Sequence, residues 1–300
     1  MTHLGVRGRA LLLGLGVCSL AGCMRQGPSV VSNPHYTIGE GYQAGGVWYY
    51  PREDFGYDRS GLASVYGEDA PRETADGEAY EAGAMAAASP VLQLPAIVQV
   101  TNLQTGRQLM LRVNDRGPET PGRILEVTPR AARLLGIPAD GAAEVRVTVL
   151  KEASEALADS LGGGIKIAAA PVGGFQSSSL APPPGVAQAS GATVQQVDRA
   201  NQPVAAQAVP PLRLPEQLTA VAPSPGGLYI RSGSFGRRYD AFRQAARLSG
   251  LPNAHVVIFS DGARTLYGVQ TGPYLSVPQA DQALSSSLAA GAVDATIIVQ

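Results

Sequence analysis

Lysine is nearly missing from this 300-residue chain: two of its 23 basic residues are Lys. Charged residues make up 16% and aromatics 6%, with a single Trp. Two cysteines and three histidines exclude a disulfide framework and a multi-ligand zinc cluster. A net charge of −1 excludes nucleic-acid binding driven by overall charge, so no nucleic-acid partner is expected. No Gly-rich phosphate loop and no Ser-His-Asp order occurs, so neither cofactor nor metal is expected. What the chain has in excess is glycine (36) and proline (23), well above the roughly 12% of ordinary usage for the two together. That excess points to folded pieces joined by linkers, and the length allows about two domains.

The N-terminus sets the compartment. Arg7 and Arg9 precede the apolar run Leu11–Leu20, and Ala21-Gly22-Cys23 closes it with small residues. A basic start, an apolar stretch near ten residues and a small-residue end make a secretory signal over 1–22, too short to span a bilayer. Leu20-Ala21-Gly22-Cys23 resembles the bacterial lipobox, which implies cleavage before Cys23 and lipidation of its sulfur. Several acyl chains, at about 0.8 kcal/mol per buried methylene, would anchor the chain stably in membrane lipid. Met24 in place of Asp favours the outer membrane, by resemblance to enterobacterial sorting.

Beyond the anchor, residues 23–59 show no sustained period and read as a tether. Residues 60–150 read as a compact β-barrel. Ala96–Asn102 and Arg107–Asn114 are strands about the Leu103–Gly106 turn, and Glu144–Val149 alternates strictly. Thr128-Pro129 starts a short helix that Gly136 stops. From 151 to 225, runs of Pro, Ala, Gly, Ser and Gln with few charges read as a disordered linker. Residues 226–300 give the order β-α-β-β-α-β, the split βαβ pattern.

Two motif sets carry a resemblance. Gly61-Leu62-Ala63-Ser64-Val65-Tyr66-Gly67, Thr74-Ala75-Asp76-Gly77-Glu78, Val100-Thr101-Asn102-Leu103 and Val113-Asn114-Asp115-Arg116-Gly117-Pro118 occur in that order. They resemble the double-psi β-barrel of the rare lipoprotein A family, septal lytic transglycosylases of the bacterial wall. Residues 228–235 and 267–274 look like the signature strands of a SPOR domain, a module that binds peptidoglycan glycan strands stripped of stem peptides. The expected architecture is therefore multidomain: a mainly β double-psi barrel and an α+β SPOR domain on a disordered linker. The expected partners are glycan strands, outer-membrane lipid and division proteins.

Cleaving a glycosidic bond needs a proton delivered to the leaving oxygen, and one carboxyl can serve as acid and then base. The resemblance places that role on Asp115, a supporting role on Glu78, and substrate contacts on Tyr66, Asn114 and Arg116. In the second domain it implies contacts from Arg231, Ser234, Phe235, Tyr267 and Gln270. An Asp with an ordinary pKa near 3.9 is no acid at neutral pH; burial or a neighbouring carboxylate must raise it, and Glu78 is the expected neighbour. Arg116 should point away along an extended chain. The chain departs from the family in reading Ser89 where a His is usual and Glu126-Val127-Thr128 where Asp-Leu-Ser is usual. The alternative is a non-catalytic, expansin-like glycan-binding lipoprotein.

Overall fold

The computed structural model describes residues 30–163, 213–261 and 264–300. The signal segment, Cys23 and the middle of the expected linker lie outside these residues.

A small hairpin, β1 (Tyr42–Ala44) and β2 (Val47–Tyr49), comes first. The barrel follows: β3 (Asp58–Val65), β4 (Ala86–Ala88), β5 (Ala96–Asn102), β6 (Arg107–Asp115), β7 (Arg123–Val127), helix α1 (Pro129–Leu135) and β8 (Ala143–Val149). Strands run in the order β4-β7-β3-β8-β5-β6, and β4 pairs also with β6, which closes the ring. The pairs β3/β7 and β4/β6 are parallel and the others antiparallel. This is the expected barrel. Its interior is filled by Leu94, Val98, Leu111, Val113, Leu125 and Val145, each with no exposed surface. Closure leaves few free edges, and alternation along each strand supplies the apolar inner face.

Local chemistry fixes the elements as the sequence leads one to expect. Thr128 caps α1 by accepting from the Ala131 N–H, Pro129 takes the first turn, and Gly136 ends it in the left-handed region at φ 76°. The Asn102 side chain accepts from the N–H groups of Gln104 and Thr105 and donates to the Leu135 carbonyl, tying the β5–β6 turn to the end of α1.

Two expectations need correction. The segment read as a tether is fastened to the barrel from residue 33 on. Asn33 and His35 N–H groups donate to Gly77 and Asp76 carbonyls at 2.7 and 2.8 Å, and Thr37 and Leu94 exchange main-chain bonds. Main-chain pairing needs no side-chain period, so hydrophobic patterning does not register it. The expected linker also begins later than residue 151, because α2 (Lys151–Ser160) packs on β5. Further on, β9 (Thr219–Ala220) pairs with β6, and Val221 and Ser224 N–H groups reach the Gly106 and Leu103 carbonyls.

The C-terminal unit comprises β10 (Leu228–Phe235), α3 (Arg238–Arg247), β11 (His255–Asp261), β12 (Arg264–Tyr274), α4 (Val277–Ala289) and β13 (Thr296–Val299). Its antiparallel sheet has the order β11-β12-β10-β13. Leu228, Ile230, Val269, Leu284 and Ile297 form its core, which Leu62 of β3 joins from the barrel. Arg123 at the start of β7 holds Asp281 of α4 through two hydrogen bonds of 2.5 and 2.9 Å.

Candidate active site

The site is built at the end of β6. Between Ala87/Val113 and Ala88/Asp115 the β4–β6 register slips by one residue, so that Asn114 is a bulge. A bulge re-aims the following side chain, here Asp115, which is 5% exposed. Asp115 Oδ1 accepts from the Ala75 and Arg116 N–H groups at 2.9 and 2.8 Å, and Oδ2 accepts from the Tyr66 hydroxyl at 2.9 Å. Burial pushes its carboxyl above the ordinary range, against the pull of those three donors. Burial and the Asp115 charge also hold the Tyr66 phenol well above its usual value, so it stays a donor. Tyr66 sits against Tyr80, ring centroids 5.1 Å apart.

Glu78 belongs to a separate buried group. It pairs with the Arg112 guanidinium, and its Oε2 accepts from Asn114 Nδ2 at 2.7 Å. Asp76, with no exposed surface, lies 3.5 Å from the same guanidinium; burial first, and the Glu78 charge second, push it up to about 7. The turn carrying both acids is closed by Thr74, which donates to Asp76 Oδ1 at 2.7 Å. Gly77 at φ 86° is required there, since a Cβ would lie 2.5 Å from the Asn33 carbonyl oxygen. Of the two causes expected for a raised Asp115, burial is thus the main one, and the charge of Glu78 is not what raises it.

Asn114 and Glu78 line a cleft of about 190 Å³ together with Tyr66, Tyr80 and Arg112. Arg112 is 3% exposed, and its Nε and Nη1 have no hydrogen-bond partner among the described residues. Two buried donors beside a cleft suit a carbonyl oxygen of a bound molecule. Arg116, expected to touch substrate, turns away from the cleft. Its guanidinium donates to the carbonyls of Ser89, Leu92 and Ile38 and clamps the N-terminal segment to the barrel. Ser89 is 1% exposed, and its hydroxyl faces the Val91 and Leu92 N–H groups at 3.4 Å.

Sequence reasoning noted Glu126 as a departure and missed it as a site residue. It lies on β7, half-buried, and burial followed by the Asp115 charge pushes it up to about 7. The missing signal is three-dimensional, since Glu126 meets Asp115 only through strand pairing.

In the C-terminal unit, β10 and β12 set Arg231 opposite Gln270 and Phe235 opposite Tyr267. Arg231 lies over the Phe259 ring at 5.2 Å and lines a shallow pocket with Ser234 and the barrel's Arg52 and Arg59. Gln270 donates to the Gln300 side chain at 3.0 Å. Phe235 lines a different pocket, with Asp240, Arg243, Gln244 and Arg247 of α3, so the five expected contacts do not form one surface. Among the described residues no cluster of His, Cys, Asp and Glu is arranged to hold a metal ion.

Comparison with known proteins agrees with this layout. A family model described as lytic transglycolase matches residues 58–147, and a SPOR domain model matches residues 224–298. A protein of Pseudomonas aeruginosa (strain UCBPP-PA14) named endolytic peptidoglycan transglycosylase RlpA is 32% identical over 283 residues, covering 90% of this chain and 77% of its own length. A Yersinia pestis protein of the same name is 49% identical over 82 residues, 27% of this chain and 23% of that protein. The crystal structure of an RlpA SPOR domain from Pseudomonas aeruginosa matches 25% of this chain and all of its own at 28% identity, with a TM-score of 0.23.

Proposed function

Because the chain belongs to the RlpA family, we propose that it is an endolytic peptidoglycan transglycosylase of the cell envelope. The observation that carries the chemistry is a buried, upshifted carboxyl, Asp115, beside a cleft lined by tyrosines, Asn114 and Arg112. In this reaction the leaving oxygen takes a proton from a carboxyl as the oxocarbenium-like centre forms. The sugar's own 6-hydroxyl then attacks C1 and returns its proton, leaving a 1,6-anhydro end. Glu78 supports the site by holding Arg112 and Asn114 in place. The C-terminal unit binds glycan, with strands stripped of stem peptides preferred, through Arg231, Ser234 and Gln270 on one side and Phe235 and Tyr267 on another. Cys23 anchors the chain in outer-membrane lipid, and division proteins are its partners there.

The test is the full-length chain in detergent micelles, incubated with stripped and with peptide-bearing sacculi, products read by mass. Anhydro-muramyl ends are expected, formed faster from stripped sacculi, and Asp115→Asn is expected to slow cleavage at least about 10²-fold. Glycan left intact by the wild type would instead favour the non-catalytic, glycan-binding reading. The anchor is tested apart from catalysis: Cys23→Ala should abolish incorporation of labelled fatty acid in cells, and unchanged labelling would remove the lipid anchor.

A further inference from the structure

Ala88 of β4 pairs with Glu126 on β7 to one side and with Asp115 on β6 to the other, and Glu126 pairs onward with Ser64 of β3. Paired residues project to the same face of a sheet, so Ser64, Glu126, Ala88 and Asp115 form one row across four strands. At about 4.8 Å between strands, the Glu126 and Asp115 backbones stand roughly 10 Å apart. Only a methyl group lies between them, since β4 is three alanines. The row exists because of the Asn114 bulge; an unbroken register would set Asp115 elsewhere. Glu126 reaches along it: its Oε2 lies 3.3 Å from where a side chain on Gly117 would begin.

We propose that Glu126 is the residue that hands the proton to the leaving glycosidic oxygen, while Asp115 remains the ionised carboxylate that faces the developing positive charge. This rests on the transglycosylase reading above and reassigns the proton within it. The Glu126 O–H bond breaks as the glycosidic oxygen gains its proton and the C1–O bond cleaves. The 6-hydroxyl then bonds to C1, and its proton returns to the Glu126 carboxylate, so the enzyme is unchanged.

The two carboxyls differ in the way that such a division of labour needs. Asp115 is raised less, because against its burial it accepts from two main-chain N–H groups and from Tyr66, which favour its charged form. Glu126 has burial against it and feels the charges of three carboxylates: Asp115 on β6, Asp69 in the loop after β3, and Glu119 beyond the Asp115 turn. The tyrosines near it, Tyr66 and Tyr80, are themselves pushed up, and the Ser64 hydroxyl, which makes no well-formed hydrogen bond, pulls Glu126 towards ionisation least of all the neighbours. A proton shared between the two carboxyls at neutral pH therefore rests on Glu126. Glu126 is also the more exposed of the pair.

The test has two readouts on the full-length chain. With glutamate side chains labelled with ¹³C, NMR should show Glu126 titrating near pH 7 and lower than that in Asp115→Asn, where burial still acts but the Asp115 charge is gone. A Glu126 that titrates in the ordinary range in the wild type would overturn the assignment. In cleavage of stripped glycan, Glu126→Gln should lower kcat at least about 10²-fold with little change in KM and remove the loss of rate above pH 7, whereas Glu126→Asp should restore part of the rate. Wild-type cleavage with an unchanged Glu126→Gln rate and pH profile sinks this proposal alone. A wild type that makes no cuts sinks it together with the enzymatic reading.

Discussion

Glu126 and Gly77 mark the two ways in which a single residue reveals itself in this protein. Gly77 was legible: an Asp-Gly pair announces a turn, and the turn needs φ above zero. Asp115 was legible too, through the string of residues around it and its place at a strand end. Glu126 was not, since its meaning comes from a cross-strand row that a one-residue bulge creates. Arg116 turns away as an extended chain predicts, against the substrate contact that the resemblance implies, and the three main-chain carbonyls that hold it leave no mark in the sequence. The raised Glu126 has a consequence for stability. Its folded value lies above the unfolded one, so the folded state is favoured while the group is protonated and loses that advantage as pH rises towards 7. Glu126→Gln imitates the protonated form. Its Tm should exceed that of the wild type by a few degrees at pH 8, with the gain vanishing near pH 4, as differential scanning calorimetry across that range would show. A gain independent of pH would contradict a raised Glu126.

At the scale of elements, those with strong local chemistry were legible and those made by pairing were not. The α1 helix announces itself by its Thr128 cap, Pro129 and Gly136; the alternating barrel strands and all six elements of the C-terminal unit stand close to their expected places. β9, two residues long, carries too little pattern to register, and α2 was absorbed into a linker by its alanine-rich composition. Yet α2 is fixed to the barrel. Ser154, fully buried, accepts from the Ile97 N–H at 2.9 Å and donates to the Ile97 carbonyl at 3.1 Å. Ser154→Ala leaves that buried N–H without a partner, whereas the carbonyl keeps the Leu150 N–H. A loss of about 1–3 kcal/mol is expected in urea unfolding, more than an exposed serine on the same helix such as Ser160 would give. Equal effects at the two positions would mean that α2 does not depend on this contact.

For the whole molecule, the composition correctly indicated two folded units but not that they touch. Leu62 contributes to the C-terminal core, and Arg123, 8% exposed in its side chain, is answered by Asp281. No local pattern signals a contact between residues 158 positions apart. Asp281→Arg sets two guanidinium groups against each other at a half-buried position, where like charges repel most. Small-angle scattering should show a larger radius of gyration with both units still folded, and an unchanged scattering curve would mean that apolar packing alone holds them.

The path of the chain between the two units bears on how such a molecule would handle a polymer. Before β10 begins, the chain is stitched to the barrel by β9, by Val221 and Ser224, and by the Gly226 N–H on Glu144. The C-terminal unit therefore leaves the barrel from a fixed point with almost no slack. A glycan strand gripped by that unit would enter the cleft at a set distance from the grip, counted in sugars. Such a molecule would act as a ruler, and the fragments it released would share a preferred length.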